Sequence, residues 1–257
     1  PHADVRIGSL MRLTPHLTEG VFVTRLNRFA ARVEIDGRTT HVHVANSGRL
    51  RELLCPCVRV LLTPVSPGTN RKTAYDLSLV DLGHTLVSAD ARLPNALVYE
   101  ALEQSLLPQF AAYGAVARER VFGDSRLDLL LSDGPKRCYV EVKSVTLIEE
   151  RTALFPDAPT TRGQRHVRTL ARAVQEGFRA SVLFVIQRED LDAFRPNDTA
   201  DPAFGRALRE AHATGVEVYA YRCRVTPERI ALSDQVPVLL PELPVKDTGA
   251  AVEIPLG

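Results

Sequence analysis

The rhythm of this chain changes once, near Pro94, and that change limits its fold more than any other feature. Before it, short strand-forming runs alternate with turn signals: Val21 to Arg25, Ala30 to Ile35, Thr40 to Val44, Val58 to Leu62, Asp76 to Leu82 and Thr85 to Ala89. Asp36-Gly37, Asn46-Ser47-Gly48, Ser66-Pro67-Gly68 and Asp81-Leu82-Gly83 separate them. Short strands at this spacing predict a small β-barrel or sandwich. A five-stranded barrel of the oligonucleotide-binding type is the natural candidate, with one helical turn at Arg49 to Leu54.

After Pro94 helices enter. Asn95 to Leu107 reads as a helix ended by Pro108. Strands follow at Ala117 to Phe122, Arg126 to Leu131 and Arg137 to Val145. Thr161 to Glu176 is amphipathic, with Val167, Leu170, Ala171 and Val174 spaced three and four apart and Gly177 closing the helix. Ser181 to Gln187 is an apolar strand, Asp201-Pro202 opens a helix running to Ala213, and Val216 to Tyr221 is a last strand. Strands alternating with helices predict an α/β domain with a mixed sheet. The expected organisation is α+β in two domains, residues 1–90 and 91–232, with a proline-rich extension over 233–257.

Composition adds bounds but no function. Apolar content of 45% and charged content of 25% are ordinary for a globular protein. No apolar run reaches membrane-spanning length, and the charged-then-apolar pattern of a signal peptide is not found. Four cysteines without framework spacing fit a reducing compartment, so a cytoplasmic location is expected. A formal charge of +1 means that any nucleic-acid binding must come from arginines concentrated on one surface.

Asp128, Glu141 and Lys143 carry the chemical signal. Leu127-Asp128-Leu129-Leu130-Leu131 is apolar on both faces except for one acid, so it reads as a buried strand. In Cys138-Tyr139-Val140-Glu141-Val142-Lys143 a period of two puts Glu141 and Lys143 on one face. Buried carboxylates are costly unless paired or bound to metal. Acid … acid-x-lysine therefore suits a divalent-metal phosphodiesterase, although a structural ion-pair cluster would give the same pattern. Asp128 and Glu141 would hold Mg²⁺ (or Mn²⁺) through oxygen ligands. Lys143 would orient or deprotonate the attacking water, or stabilise the transition state. Glu100 is the first choice for a third acid and Glu119 the second.

A phosphate backbone would need cations nearby. Arg162, Arg165, His166 and Thr169 fall on one helical face opposite the apolar stripe, behind Thr160 and Thr161 as caps. Arg126 lies beside Asp128. In the first half, Arg25, Asn27 and Arg28, then Asn46 and Arg49, then Arg71 and Lys72 supply basic and amide groups near strand ends. Phe29 and Tyr75 could stack on bases. A competing four-ligand zinc site could form from His41, His43, Cys55 and Cys57, though nothing in the sequence brings the two pairs together.

Several of these segments in combination resemble the sugar fermentation stimulation protein A family. They include Gly20-Val21-Phe22, Arg25 through Phe29, His43 through Leu54, Asn70 through Thr73 and Pro94-Asn95. Phe122 through Asp128, Tyr139 through Leu147, Phe155 through Ala158, Arg162 through His166 and Val185 through Arg188 complete the set. The resemblance spans roughly residues 8–235. It implies an oligonucleotide-binding barrel joined to a restriction-endonuclease-like domain. It also implies non-specific DNA binding, to double or single strands, and a regulatory link to sugar metabolism. Together with the acidic trio, the expectation is a Mg²⁺-dependent DNA phosphodiesterase; the alternative is a non-catalytic DNA-binding regulator. Two departures stand out: Cys55-Pro56-Cys57 puts a cysteine where glycine is expected, and Val44-Ala45 replaces Leu-Pro.

Overall fold

The structure, a computed structural model, describes residues 10–13, 16–66 and 71–241. The turn expected at Pro67-Gly68, Asn70 and the extension beyond residue 241 lie outside them. The chain begins with β1 (Leu10–Arg12), β2 (Thr18–Asn27), β3 (Ala30–Ile35) and β4 (Arg38–His43). β5 (Arg59–Pro64), β6 (Tyr75–Asp81), β7 (Leu86–Ser88) and α1 (Leu93–Glu103) follow. Then come β8 (Ala115–Phe122), β9 (Ser125–Asp133), β10 (Lys136–Val145), β11 (Ile148–Glu149) and β12 (Thr152–Phe155). The rest comprises α2 (Thr161–Gln175), β13 (Arg179–Ile186), β14 (Ala193–Pro196), α3 (Pro202–Ala213), β15 (Glu217–Thr226) and β16 (Arg229–Val236).

Strands β2 to β6 form the expected five-stranded barrel of the oligonucleotide-binding type. Their sheet runs β4-β3-β2-β5-β6-β7, and pairing of His43 with Asp76 closes it. β3 alternates buried and exposed residues with period two, and Ala31, Val33 and Ile35 face the interior with Phe22, Leu62 and Leu77. Cys57, where the family resemblance calls for glycine, adopts φ +69 and still donates its N–H to Phe22 O at 2.9 Å. The turn therefore forms, at a conformational cost of about 1–2 kcal/mol for a side-chain-bearing residue.

The second body is a seven-stranded mixed sheet, order β1-β16-β15-β13-β10-β9-β8, covered by α1 on one face and by α2 and α3 on the other. β10, β13 and β15 are parallel and joined through α2 and α3. These central strands are apolar on both sides because both sides are covered. Leu97, Val98 and Ala101 of α1 pack beneath Val140 and Val142, whereas Val167, Leu170 and Ala173 of α2 pack on Val182 and Phe184. Each large apolar side chain buried this way contributes about 1.5–3 kcal/mol. Thr160 Oγ1 accepts from Gly163 N at 3.0 Å and caps α2. Asp201 caps α3 through Phe204 N and reaches back to Thr160 N at 2.8 Å, tying the two helix starts together.

Some elements differ from the sequence reading. Leu10–Arg12 joins the far edge of the second sheet rather than the barrel, through β16. Residues 229–236 extend the sheet as β16, so the start of the expected extension is strand. A small sheet of β11, β12 and β14 occupies a stretch with no strong periodicity. α1 stops at Glu103, and just beyond its end Ser105 turns into the left-handed region at φ 55.

Candidate metal and nucleic-acid site

Asp128 sits where two regular ladders break. β9 and β10 pair from Lys136↔Asp133 to Val140↔Leu129 and stop one step before Glu141 would face Asp128. There Asp128 Oδ2 takes the amide of Val142 at 2.8 Å, replacing a ladder hydrogen bond with a side-chain one. On the other side, Arg118↔Leu129 and Arg120↔Leu127 flank Glu119, which adopts φ 51. The alternation switches at this point: Leu127 belongs to the α2 core and Leu129 to the α1 core. Asn95, in the first turn of α1, donates Nδ2 to Asp128 Oδ1 at 2.9 Å. The sequence assigned Asn95 no role at the site, although Pro94-Asn95 is among the segments that carry the family resemblance.

Glu141 and Lys143 share the face of β10 that looks toward α2, as their spacing predicts. Lys143 Nζ donates to Glu141 Oε1 at 2.6 Å, and His166 Nδ1 of α2 donates to the same oxygen. Glu141 Oε2 is buried and accepts no hydrogen bond. Burial lifts the Asp128 carboxyl above its ordinary value, and the charge of Glu141 adds to this against the Val142 amide and Lys143. Burial would raise Glu141 as well, but Lys143 and His166 outweigh it and hold its carboxyl below the usual range. The pair thus has one ionised acid, one acid under electrostatic pressure and one orphaned oxygen.

A hard divalent cation fits this donor set. Two carboxylates offer oxygen ligands, the repulsion between them is what a cation relieves, and Oε2 lacks any other partner. Among the described residues no group of three or more His, Cys, Asp or Glu side chains is arranged to hold an ion. Glu100 is half-buried on α1, and Glu119 is an exposed partner of Arg126 at 3.6 Å. The zinc alternative falls: His43 bonds Asp76 at 3.1 Å, while Cys55 and Cys57 are exposed free thiols.

The expected nucleic-acid residues divide into two groups. Arg28, Arg49 and Arg162 are exposed and line the cleft where the barrel meets the second body. Arg165, Arg126, Lys72 and Asn27 are exposed elsewhere on these elements. The others have structural work. Arg25 donates to the carbonyls of Asn27, Arg28, Asn46, Gly48 and Arg49, binding the β2–β3 turn to the loop after β4. Asn46 is buried, with Nδ2 on Ala89 O and Oδ1 on Gly48 N. Arg71 pairs with Asp76. His166 is 2% exposed, which leaves no surface for a phosphate and corrects its expected role. Arg162 Nε reaches His166 Nε2 at 3.4 Å, so the ring links an exposed arginine to Glu141. Thr169 is buried too, against Ser125 Oγ at 2.8 Å, because the apolar stripe of α2 is wider than its aliphatic residues alone indicate.

The seam itself was not legible in the sequence. Asp157 Oδ2 accepts the backbone amides of Arg49 at 2.5 Å and Leu50 at 3.3 Å, pinning the loop after β12 to the barrel. A Cβ on Gly48 would lie 2.7 Å from that oxygen, so this approach requires glycine. Thr146 and Glu52, His84 and Asp190, and Ser88 and Gln187 add polar contacts across the same seam.

Comparison with known proteins agrees with this architecture. Residues 23–89 match the model of the SfsA N-terminal OB domain, and residues 92–229 match that of the sugar fermentation stimulation protein RE domain. A sugar fermentation stimulation protein homolog of Caldanaerobacter subterraneus is 46% identical over 87% of this chain and 97% of its own length. That of Chloroflexus aggregans is 48% identical over 87% and 86%. The solved structure of Pyrococcus furiosus SfsA in complex with Ca²⁺ has a TM-score of 0.82 at 31% identity, covering 89% of this chain and 98% of that one. The fold is an oligonucleotide-binding barrel followed by a restriction-endonuclease-like domain, and no helix is long and apolar enough to cross a membrane among the described residues. The chain belongs to the sugar fermentation stimulation protein family.

Proposed function

We propose that this protein binds DNA without sequence preference and cleaves its phosphodiester backbone with the help of Mg²⁺ or Mn²⁺ held by Asp128 and Glu141. The observation that carries the reading is Glu141 Oε2, a buried carboxylate oxygen without a hydrogen bond beside a second, electrostatically strained carboxyl. The Ca²⁺ bound by the Pyrococcus furiosus relative supports it, as an oxygen-seeking cation of the same charge. When bound, the cation supplies Lewis-acid polarisation of the phosphate and a more acidic water.

The protein's own groups do the rest. His166 and Lys143 both donate to Oε1 and so fix the Glu141 carboxylate. Asn95 and the Val142 amide fix Asp128. Lys143, held in place by Glu141 and lining the cleft, offers a positive charge to the phosphate as negative charge develops on it. Arg28, Arg49 and Arg162 hold the neighbouring backbone phosphates, contacts that carry affinity but no sequence information. Plasmid and single-stranded DNA incubated with Mg²⁺ or Mn²⁺ should be cut, and Asp128→Ala should abolish cutting. Wild-type protein that binds DNA but leaves both substrates intact with either cation would instead establish the second reading, a DNA-binding regulator tied to sugar fermentation by its relatives' name.

A further inference from the structure

Two cavities meet at the seam between the barrel and the second domain. One, of about 530 Å³, lies over Lys143 and is walled by the loop after β4 on one side and by the Phe155–Arg162 segment on the other. The second, of about 580 Å³, continues past the β2–β3 turn. They share Arg28, Ser47, Gly48, Leu50, Ala158 and Pro159, so together they form one groove.

Its charge is lopsided. The lining holds four exposed arginines, Arg28, Arg49, Arg51 and Arg162, besides Arg25, engaged by backbone carbonyls, and Lys143, paired with Glu141, against one lining carboxylate, Asp157, in a chain of net charge +1. Asp157 is itself occupied by the Arg49 and Leu50 amides. Among the cations and small polar residues stand accessible apolar side chains: Leu26, which is 40% exposed, the exposed Pro159 and the half-buried Phe155. A duplex presents phosphates and base edges and keeps its base faces stacked inside, so an apolar lining would meet nothing complementary. An unpaired strand presents phosphates and open base faces together, the combination this lining matches.

We infer that the groove binds single-stranded DNA and leads it from the barrel turn to Lys143. The inference rests on the proposed cleavage site, because it names the form of DNA that the site receives. Binding is read by fluorescence anisotropy with labelled oligothymidine and with a blunt duplex of equal length, in Ca²⁺ and over a salt series. Wild type should bind the single strand more tightly. Arg28→Ala with Arg51→Ala should weaken that binding about tenfold and lower the salt slope by about 1.4, for two lost phosphate contacts. Ser47→Trp, which fills the shared stretch without altering charge, should also displace the strand while thermal unfolding stays cooperative. Duplex bound as tightly as the single strand, or a single strand bound equally by wild type and Ser47→Trp, would overturn the groove. Such a result leaves the cleavage reading standing if the same samples still cut duplex DNA. Single-strand binding that follows these variants with no cutting would uphold the groove and remove the cleavage.

Discussion

Two buried acid–base clusters in this protein look alike in composition and differ in completeness. Where the barrel closes, Asp76 accepts from His43, Arg71 and Arg92, with Arg71 and Arg92 meeting Oδ2 and Arg71 and His43 meeting Oδ1. Asp90 is likewise occupied by the amide and guanidinium of Arg92. Hydrogen bonds from these arginines outweigh the burial of Asp76 and hold its carboxyl low. In the second domain, Asp128 is raised and Glu141 Oε2 has no partner. A cluster whose acceptors are all matched closes a barrel; one left short of positive charge is built to receive it. The number of charged residues does not separate the two, but the hydrogen bonds do.

Substitutions should separate them as well. Lys143→Ala should lower the rate of metal-dependent cleavage about 10³-fold in a plasmid-nicking assay, the scale for losing one group that stabilises developing charge. Asp76→Asn should leave cleavage within a factor of a few and instead destabilise the fold by about 2 kcal/mol in denaturant titration. The next largest effect is at His166. His166→Ala removes one of the two donors that fix Glu141, and Mn²⁺ affinity measured calorimetrically should fall about 10–100-fold.

Acid should act on Asp76 and Asp128 in opposite directions, whereas Glu141, also held low, responds as Asp76 does. A carboxyl held below its unfolded value near 3.9 stabilises the fold above that pH and loses its contribution as pH falls through the folded value. Asp76 is of this kind. Wild type should therefore lose stability below about pH 4 more steeply than Asp76→Asn, with chemical denaturation at stepped pH as the check. Asp128 has the opposite sign: its ionised form is disfavoured in the folded state, so its protonation on acidification favours the fold. The smallest effect lies outside both clusters. Cys57→Gly should raise stability by about 1 kcal/mol, because glycine adopts φ +69 without a Cβ penalty.

Much of the architecture could be read from residue pattern. Strand-forming runs set between turn signals indicated the barrel strands, and the three-and-four spacing of Val167 and Leu170 indicated α2, which buries one side only. What escaped was set by distant partners. β12 and β14 pair in parallel across 41 residues of chain, with register Thr152↔Ala193, and neither carries an alternating pattern. The same holds at the site. Glu141 and Lys143 share a face by strand geometry alone, whereas the donation of Asn95 to Asp128 spans 33 residues and the Asp157 contact with Arg49 spans 108. Helical-wheel reasoning put His166 with Arg162 and Arg165 on an open face. Packing of α2 against β10 buries that edge of the helix, so the ring meets Glu141 rather than solvent. Arg25, Asn46 and Arg71 have the residue types of phosphate ligands, and only the carbonyls and carboxylates around them assign them to the scaffold.

Calorimetric titration of Mn²⁺ into DNA-free wild type, Glu141→Gln and Asp76→Asn tests the contrast between the clusters most directly. One divalent site in wild type and Asp76→Asn, and none in Glu141→Gln while that variant still unfolds cooperatively, is the expected result. A site that survives unchanged in Glu141→Gln, or that disappears in folded Asp76→Asn, would contradict it.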